Sequence, residues 1–529
     1  MSAHGKGGAS PATGTNPLYD AILEGRARGD GTLLETLDGQ VVEDRAFLEL
    51  AAGFARALGD AGAAPGDRVA VQVDKSWQAL ALWVGCLRGG FVFLPLNTAY
   101  TARELAYFVG DAEPAALVVD PAAREGAEAL AGAARTLTLD AAGEGSLADA
   151  AREAIGAGAS AADPPVARSG DDLAAILYTS GTTGRSKGAM LTQSNLLSNA
   201  RTLVDAWRFT PRDVLLHQLP IFHTHGLFVA CHTALLSGAR MRFHPRFDLD
   251  ALVRDLPAAT VLMGVPTFYV RLLADARFDA DLARGVRLFV SGSAPLLADT
   301  HRAFEARTGQ RILERYGMTE TNMNCSNPYE GERRAGTVGP PLPGVEARVL
   351  DPESGDPVGA GETGMLHVRG PNVFAGYWRM PDKTAEELGE DGWFVTGDLA
   401  SVDADGYVTI VGRGKDLVIS GGYNVYPKEV ETALDELPGV AESAVVGAPH
   451  PDLGEAVVGF VVADAAAAGG GPDEATLLEA LGDRIARYKR PRRLYLVDEL
   501  PRNAMGKVQK NALRERVATL FDGGDAPGG

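Results

Sequence analysis

The sequence predicts an α/β protein that consists of a large domain followed by a smaller one. Its 529 residues exceed what one hydrophobic core holds, since single cores stop growing near roughly 250 to 300 residues. From Pro17 to about residue 260, Ala- and Leu-rich helical stretches alternate with short β-like runs. After Gly344 strand-and-turn segments take over, and beyond Gly412 strands and helices alternate again. This alternation is typical of layered α/β architecture.

The first half of the chain contains the clearest elements. Short β-like runs predict strands at 68–73, 116–119 and 174–178. The most apolar stretch, residues 77–96, is interrupted by Arg88 and two glycines, so it predicts a buried helix followed by a strand rather than a membrane span. Residues 122–164 are rich in Ala, Gly and acidic residues with little periodicity, and we expect a variable surface excursion there.

The second half of the chain predicts short elements separated by turns. Strands are expected at 345–350, 364–368, 407–411, 443–446 and 457–462, and helices at 427–437 and 474–485. The glycines within 359–364 match the spacing of a dinucleotide-binding loop, but they precede a strand instead of opening a helix. That context predicts a β-turn and argues against a Rossmann fold.

Charge and cysteine content exclude several classes of function. Lys and Arg number 50 against 69 Asp and Glu, a net charge of −19 that argues against a nucleic-acid or anionic-membrane surface. The three cysteines are widely spaced and odd in number, which indicates neither a disulfide framework nor a zinc site and favours a cytoplasmic location. We expect small-molecule partners and a monomer or homodimer. Residues 1–16 and 519–529 are expected to be disordered tails, with no signal or transit peptide.

The segment from Tyr178 to Gly188 predicts a phosphate-binding loop. It follows an apolar strand and combines glycines, hydroxyl side chains and Lys187. Glycines let backbone amides turn toward phosphate oxygens, hydroxyls donate further hydrogen bonds, and lysine supplies positive charge. The segment lacks the spacing of a Walker A loop. A flexible polar turn is the alternative interpretation.

Five of the nine histidines fall between residues 217 and 244. A metal cluster is one interpretation, but no carboxylate or cysteine pattern completes such a site. We favour a polar lining of a pocket, because the segment Phe222–Phe228 places histidines beside apolar side chains.

Six ordered motifs resemble those of the adenylate-forming superfamily, which contains the acyl-CoA synthetases, luciferases and peptide-synthetase adenylation domains. The resemblance covers about residues 17 to 518. The motifs are the loop at 179–188, Tyr316–Glu320, Thr396–Asp398, Gly412–Asp416, Ser420–Asn424 and Pro501–Lys507. Segments 96–100, 220–226 and 320–324 are most similar to the malonate-activating members.

The resemblance implies a fold and an activity. The fold has a large N-terminal α/β domain with layered sheets at 17–412, a hinge at 413–416 that contains Lys415, and a small mobile C-terminal α+β domain at 417–518. The activity is that of an ATP-dependent ligase that forms malonyl-CoA, with methylmalonate as a second substrate, Mg²⁺ bound with ATP, and CoA as co-substrate. The carboxylate attacks the α-phosphorus of ATP to give an acyl-adenylate and pyrophosphate. The thiol of CoA then attacks the carbonyl and releases AMP.

Roles for individual residues follow from the same resemblance. Lys507, Glu320, Thr319 and His225 are the expected catalytic residues, with Glu320 and Thr179 as metal ligands. The ATP-binding set is Thr179, Ser180, Gly181, Thr182, Thr183, Gly184, Lys187, Gly292, Ser293, Ala294, Tyr316, Asp398 and Arg413. Within this set the loop holds the β- and γ-phosphates, Tyr316 and residues 292–294 enclose the adenine, and Asp398 and Arg413 hold the ribose. Rotation about the hinge would exchange Lys507 at the site for Ser420, Gly421, Gly422 and Tyr423.

The substrate pocket requires a cation if the acid is a dicarboxylate. Its second carboxylate does not react, and burying that charge without a partner is costly. The expected substrate-binding residues are Arg271, Thr224, His225, Ser291 and Met323, with Arg271 as the cation. Arg287 precedes a strand and is assigned a structural role. The basic run 487–493 either meets CoA phosphates or forms a solvated face.

Two other functions remain open at this point. One is a general acyl-CoA synthetase for short- or medium-chain acids. The other is a catalytically silent nucleotide-binding regulatory protein, and the joint presence of Lys187, Glu320, Asp398 and Lys507 argues against it.

Overall fold

The computed structural model describes residues 15–179, 186–420, 423–451, 453–464, 472–482, 484–485, 487–503 and 506–521. The chain divides into two compact units. The first comprises Met1–Glu346 with Val368–Phe394, and the second comprises Ala347–His367 with Val395–Gly529. The division places residues 347–367 and 395–412 in the second unit, whereas the sequence analysis assigned them to the large domain. A hinge at 413–416 stays a prediction.

The first unit carries most of the helices. They are α1 (Pro17–Arg26), α2 (Asp44–Asp60), α3 (Trp77–Gly89), α4 (Ala102–Ala112), α5 (Arg124–Leu130), α6 (Ser146–Gly156), α7 (Gln193–Ala206), α8 (His232–Ser237), α9 (Leu249–Asp255), α10 (Pro266–Ala274), α11 (Ala280–Ala283), α12 (Ala298–Thr308) and α13 (Pro381–Glu387). A π-helical segment, His225–Cys231, precedes α8.

The strands of the first unit form two sheets. They are β1 (Thr32–Thr36), β2 (Val41–Glu43), β3 (Arg68–Gln72), β4 (Val92–Pro95), β5 (Ala116–Val119), β6 (Arg135–Thr138), β7 (Leu173–Thr179), β8 (Lys187–Thr192), β9 (Val214–His217), β10 (Arg240–Phe243), β11 (Val261–Gly264), β12 (Leu288–Ser291), β13 (Leu313–Met318) and β14 (Asn322–Ser326). The eight-stranded sheet has the order β14-β13-β12-β11-β9-β10-β1-β2, and the six-stranded sheet has the order β6-β5-β3-β4-β7-β8. Both are parallel in their interior, as the alternation of strands and helices predicts.

Helices pack on these sheets through apolar faces and close backbone approaches. Trp83 of α3 is fully buried, and its ring lies 5.2 Å from that of Phe93 on β4 and 5.4 Å from that of Phe228. A Cβ at Gly53 of α2 would lie 2.8 Å from a backbone oxygen of α6, and one at Gly85 of α3 would lie 2.8 Å from a backbone oxygen of α2. Glycine at both positions lets the helices meet at this distance.

The prediction of a surface excursion at 122–164 is wrong. This segment contains α5, β6 and α6, and β6 pairs in parallel with β5 at the edge of the six-stranded sheet. Leu147 and Ala151 of α6 are fully buried. The inward face of α6 consists largely of alanines, and their small side chains give a weak periodic signal in the sequence.

The remaining elements lie in the second unit or at the division between the units. They are β15 (Glu346–Leu350), β16 (Gly364–Arg369), β17 (Phe394–Val402), β18 (Val408–Arg413), β19 (Val418–Ser420), β20 (Tyr423–Val425), α14 (Pro427–Asp435), β21 (Val440–His450), β22 (Gly454–Ala463), α15 (Glu474–Leu481), β23 (Arg493–Val497) and α16 (Lys510–Val517). One sheet has the order β15-β16-β17-β18, and the other has β20-β19-β22-β21 with β23 beside β22. The predicted strands and helices of this part are confirmed to within a few residues. The glycines at 359–364 form a turn, with the Glu362 amide donating to the Gly359 carbonyl at 3.0 Å.

The long strands β21 and β22 are covered on both faces. On one face Val430 and Leu434 of α14 and Leu477 of α15 share a core cluster with Val445. On the other face Leu513 of α16 packs in a cluster with other β21 and β22 side chains. Alternate side chains of β21 and β22 point to opposite faces of the sheet, and both faces are buried. The sequence of these strands is therefore a nearly continuous apolar run. Within the described residues, no helix is long and apolar enough to cross a membrane.

Candidate active site

Several predicted nucleotide and acyl residues of the first unit follow strands of the eight-stranded sheet, whereas Thr179 and Lys187 lie on β7 and β8 of the six-stranded sheet. Strands β9, β11 and β12 are parallel neighbours and end at His217, Gly264 and Ser291. The carboxyl ends of parallel strands open on the same edge, where α/β proteins bind their ligands. The segments that follow these strands, 218–225, 265–271 and 292–294, therefore start from this edge.

The hairpin of β13 and β14 presents Glu320 at its turn. Gly317 leaves no room for a side chain, because a Cβ there would lie 1.8 Å from the Asn322 carbonyl oxygen. Asn322 itself has a φ of 50°, in the left-handed region that asparagine tolerates. The Asn372 side chain donates to the Thr321 carbonyl at 2.6 Å. These contacts fix the turn that carries Glu320, a residue that is 5% exposed.

The segment 374–378 joins this turn to β8. The amides of Ala375 and Trp378 donate to β8 carbonyls at 2.9 and 2.8 Å, and the amide of Phe374 donates to the Glu320 carbonyl at 2.8 Å. Because β8 begins at Lys187, the segment holds the lysine strand and the Glu320 turn in one hydrogen-bonded assembly.

A cluster of four side chains results. The Lys187 ammonium lies 3.0 Å from the Tyr377 hydroxyl oxygen and 3.1 Å from each carboxylate oxygen of Glu387. The Tyr377 hydroxyl donates to Glu387 Oε2 at 2.6 Å and lies 3.1 Å from Glu320 Oε1. Burial and the two carboxylates raise the pKa of Tyr377, so this hydroxyl stays protonated. We call Lys187, Tyr377, Glu387 and Glu320 the lysine–tyrosine cluster.

His225 lies at the start of the π-helical segment and is 2% exposed. Its Nδ1 is 3.1 Å from Ser293 Oγ, and its Nε2 is buried without a hydrogen-bond partner. Burial, together with the charge of Arg315, holds the pKa of His225 well below its usual range, so the ring is neutral at pH 7. π-Helical turns occur frequently at functional sites. His225 is therefore a buried, neutral imidazole with one ring nitrogen that has no hydrogen-bond partner.

Arg315 is a buried cation whose donors are incompletely used. The residue is 3% exposed, and its Nε and Nη2 have no hydrogen-bond partner. Its guanidinium packs on Gly292, where a Cβ would lie 2.4 Å from the Arg315 Cζ. Burial lowers the pKa of Arg315 to about 9, which leaves it charged at pH 7. Unpaired buried donors are expensive, so this guanidinium is suited to receive an anion.

Two other residues predicted to line the acyl pocket also have buried polar groups without a hydrogen-bond partner. The hydroxyls of Thr224 and Ser291 are also buried without a hydrogen-bond partner, and Met323 is 2% exposed. Arg271 differs, because it lies exposed on the last turn of α10 with its guanidinium 5.1 Å from the Phe247 ring centroid. Arg315 is thus buried with unpaired donors, whereas Arg271 is exposed. A role for Arg271 stays a prediction.

Arg287 has the structural role that the sequence suggested. Its guanidinium pairs with Asp213 at 2.7 Å and donates to the Trp207 carbonyl at 3.1 Å, which links the chain before β12 to the chain before β9, on the two sides of β11.

Sequence reasoning missed Arg315, Tyr377 and Glu387 as site residues. Arg315 follows Glu314 within the buried strand β13, and two charged residues inside such a strand are a usable signal of function. Glu387 follows Glu386 in a short acidic helix that resembles a solvated surface, and Tyr377 belongs to no periodic pattern. Neither of these two could have been found from spacing alone.

The second unit contains the predicted ribose-binding residues in direct contact. Asp398 on β17 and Arg413 on β18 face each other in the strand register, and Arg413 Nε lies 2.7 Å from Asp398 Oδ1. Asp398 is 3% exposed, whereas Arg413 has a side chain that is 41% exposed. The pair thus presents a partly accessible guanidinium held by a buried carboxylate.

The predicted catalytic lysine lies on a short loop of the second unit. Residues 502 and 508 form an antiparallel bridge, and the Lys507 amide donates to Asn503 Oδ1 at 3.0 Å. Arg502 donates to the Gly506 carbonyl at 2.6 Å and pairs with Glu442 on β21. The side chain of Lys507 is exposed. The loop is therefore anchored while its lysine reaches solvent.

Several predicted residues cannot be placed. Ser180, Gly181, Thr182, Thr183, Gly184, Gly421 and Gly422 lie outside the described residues. Thr179 is described, and its hydroxyl is 3.4 Å from the Lys187 carbonyl. Lys415 is exposed, Ser420 is buried at the end of β19, and Tyr423 begins β20.

The histidine-rich segment does not form a metal site. Within the part of the chain that the structure describes, no group of three or more His, Cys, Asp or Glu residues could hold a metal ion. His217 is buried, with Nε2 2.9 Å from the Gly226 carbonyl, and His232 accepts from the Trp83 indole at 3.2 Å. An apolar pocket is present near this segment, lined by residues that include Trp83, Phe93 and Phe222. His217 and His232 thus form hydrogen bonds with groups in the protein interior and not with a metal ion.

Several known proteins are similar to this chain over most of its length. The solved structure of ATP-bound MatB from Rhodopseudomonas palustris superposes with a TM-score of 0.92 and 54% identity, covering 96% of this chain and 99% of that chain. The malonate–CoA ligase of Arabidopsis thaliana is 42% identical over 375 residues, 66% of this chain and 61% of that protein. The sulfoacetate–CoA ligase of Cupriavidus necator is 37% identical over 483 residues, 90% of this chain and 93% of that protein. The chain thus spans about three fifths of the length of the Arabidopsis relative.

The fold and the site define an α/β enzyme of the adenylate-forming type, with layered parallel sheets and a smaller second unit. Two family models match the chain in sequence order, the AMP-binding enzyme model over residues 39–378 and the AMP-binding enzyme C-terminal domain over residues 429–507. The chain belongs to the AMP-binding enzyme family.

Proposed function

We propose that this protein is an ATP-dependent acid–thiol ligase that converts malonate, ATP and CoA into malonyl-CoA, AMP and pyrophosphate through a malonyl-adenylate. The observation that carries the choice of acid is the buried Arg315 guanidinium with unpaired donors beside His225 and Gly292. A monocarboxylate would leave those donors unpaired, whereas a dicarboxylate supplies an acceptor. The names of two relatives also support an acid with two anionic groups, because malonate and sulfoacetate each carry a second anionic group.

The adenylation step concentrates anionic oxygen and requires positive charge. We assign Lys187 to the β- and γ-phosphates and Lys507 to the α-phosphate and the attacking carboxylate, because cations placed where charge develops lower the barrier. Glu320 and Thr179 are assigned to the metal. Glu320 is a buried acidic residue at the turn after β13, and Mg²⁺ binds mainly through phosphates and water with one or two carboxylates. When bound, Mg²⁺ would neutralise charge on the phosphates.

The assignment of the remaining nucleotide residues follows their positions. Tyr316 and Gly292–Ala294 lie at the carboxyl edge of the eight-stranded sheet, and we assign them to the adenine. Asp398 and Arg413 form a fixed pair that we assign to the ribose hydroxyls. Thr319 precedes Glu320 in the same turn and is assigned to the α-phosphate.

The acyl end of the site is assigned to buried polar groups. Arg315, with Arg271 as a second cation, is assigned to the unreacting carboxylate of malonate. Thr224 and Met323 are assigned to the pocket walls beside C2 of the acid. These walls limit the size of a substituent on C2, and we propose that they admit the methyl group of methylmalonate as a second substrate. Ser291 and neutral His225 supply polar contacts that do not add charge.

CoA is assigned to the second unit. Ser420, Arg487, Tyr488, Arg490 and Arg492 line one pocket there. Three guanidinium groups suit the phosphates of CoA, and Tyr488, 42% exposed, offers a ring on which a base can stack. We keep Lys415 as the proposed hinge and Ser420–Tyr423 as the loop used in thioester formation. Three buried, free cysteines support the proposal of a cytoplasmic location.

Product analysis tests this proposal. The protein incubated with malonate, ATP, MgCl₂ and CoA should form malonyl-CoA, AMP and pyrophosphate in equal amounts, measured by liquid chromatography with mass spectrometry. Omitting CoA should leave a single turnover of pyrophosphate. Formation of ADP and phosphate, or no product from any acid, would refute the assignment.

A further inference from the structure

The Lys187 ammonium is already saturated by protein acceptors. Its three hydrogen-bond acceptors are the Tyr377 hydroxyl oxygen and both carboxylate oxygens of Glu387, at 3.0 to 3.1 Å. The Lys187 and Glu387 side chains are only 21% and 22% exposed. An ammonium has three donors, so any further anion must replace one of these acceptors.

Glu387 has a position that helix stability does not explain. It is the last residue of α13, and a carboxylate at a helix carboxyl end is disfavoured by the helix dipole. Burial raises the pKa of Glu387, but hydrogen bonds from Tyr377, Lys383 and Lys187 outweigh this effect, so its pKa is lowered and it stays ionised. Its charge is therefore maintained by the residues around Lys187 and Lys383.

We propose that Glu387 competes with the β- and γ-phosphates of ATP for Lys187, so that binding of the triphosphate displaces the Glu387 carboxylate from the lysine. This inference rests on the proposed function, which assigns Lys187 to those phosphates. The Glu387 carboxylate can leave Lys187 without becoming an unpaired charge, because it keeps its hydrogen bond from the Tyr377 hydroxyl at 2.6 Å and its ion pair with the Lys383 ammonium at 3.0 Å. Release of pyrophosphate then lets the carboxylate return to Lys187.

The consequence is that removing the Glu387 charge strengthens triphosphate binding. Glu387→Gln keeps the shape and one oxygen acceptor but leaves Lys187 without its anionic partner. We expect the Kd of the Mg²⁺ complex of α,β-methylene-ATP, measured by isothermal titration calorimetry, to fall about 3- to 10-fold, as for release of a partly exposed ion pair. The Kd of AMP should stay unchanged, since AMP lacks the phosphates that Lys187 contacts.

The neighbouring acid provides a matched control. Glu386 is exposed and pairs with Lys383 at 2.6 Å, so Glu386→Gln makes the same change in net charge without touching Lys187. This variant should bind both nucleotides as the parent protein does. An equal fall in the Kd of the ATP analogue in Glu386→Gln and Glu387→Gln would mean a general effect of net charge and would overturn the proposal. An unchanged or higher Kd in Glu387→Gln would also overturn it.

A double-mutant cycle separates this inference from the function on which it rests. Lys187→Met should weaken binding of the ATP analogue at least tenfold, and adding Glu387→Gln to it should give no tightening. If Lys187→Met binds the analogue normally, the assignment of Lys187 to the phosphates fails. If Lys187→Met weakens binding but Glu387→Gln still tightens it in that background, the competition fails while the assignment of Lys187 stands.

Discussion

Replacing Lys507 with Ala should slow malonyl-adenylate formation by about 10²-fold or more in kcat, the scale expected for loss of one preorganised electrostatic group. The lysine is exposed on a loop whose backbone is fixed by Asn503 and Arg502, so its removal should leave the fold intact. Pyrophosphate release with malonate measures this step. Conversion of supplied malonyl-adenylate to malonyl-CoA should be nearly unchanged, because the proposed rotation about the hinge at Lys415 takes Lys507 away from the site before thioester formation.

Arg516→Ala provides a control for this experiment. Arg516 is an exposed cation on α16 of the same unit, and its loss should change neither half-reaction. Equal loss of both half-reactions in Lys507→Ala would show that the lysine does not act specifically in adenylation.

Replacing Arg315 with Met should reduce kcat/KM for malonate by about 10²-fold or more, as expected when a buried charge-assisted contact is lost. Isovalerate is the matched comparison, because it replaces the second carboxylate of malonate with a branched alkyl group of similar shape. Its kcat/KM should hold or improve in the same variant. Removing an unpaired buried cation should not lower the melting temperature, since such a charge opposes folding.

Arg271→Leu, measured alongside, tests the cation that the sequence predicted. We expect a selective but smaller loss for malonate, about tenfold, because contacts of an exposed side chain are screened by solvent. If malonate and isovalerate fall together in Arg315→Met, that residue supports the pocket without binding the second carboxylate. Unchanged malonate turnover in Arg271→Leu would remove Arg271 from the site.

The sequence predicted the fold well where side-chain size produces a strong pattern. The apolar run at 174–178 and the helix and strand at 77–96 were found because large buried residues cluster there. Helix α6 was missed because its buried face is mainly alanine. Its packing depends on close approach to Gly53 of α2, a contact between distant segments that no local pattern reveals.

The site was predictable where its residues belong to ordered motifs. Asp398 and Arg413 were paired by motif, and the strand register places them opposite each other. Glu387 could not be predicted, because it reaches Lys187 across 200 residues of sequence through a turn and a short helix. Arg271 was chosen without weighing Arg315, although Arg315 follows Glu314 inside the buried strand β13.

The ratio of kcat/KM for malonate to that for isovalerate, measured by pyrophosphate release from the unmodified protein, shows whether the acyl site requires a second anionic group. The same assay with methylmalonate and sulfoacetate gives kcat/KM for two further dianions. A buried cation that requires an anionic partner predicts a malonate preference of about 10²-fold or more, with both other dianions above isovalerate. A ratio near one, or a preference for isovalerate, would show that no buried cation selects a second carboxylate and would indicate a general acyl-CoA synthetase.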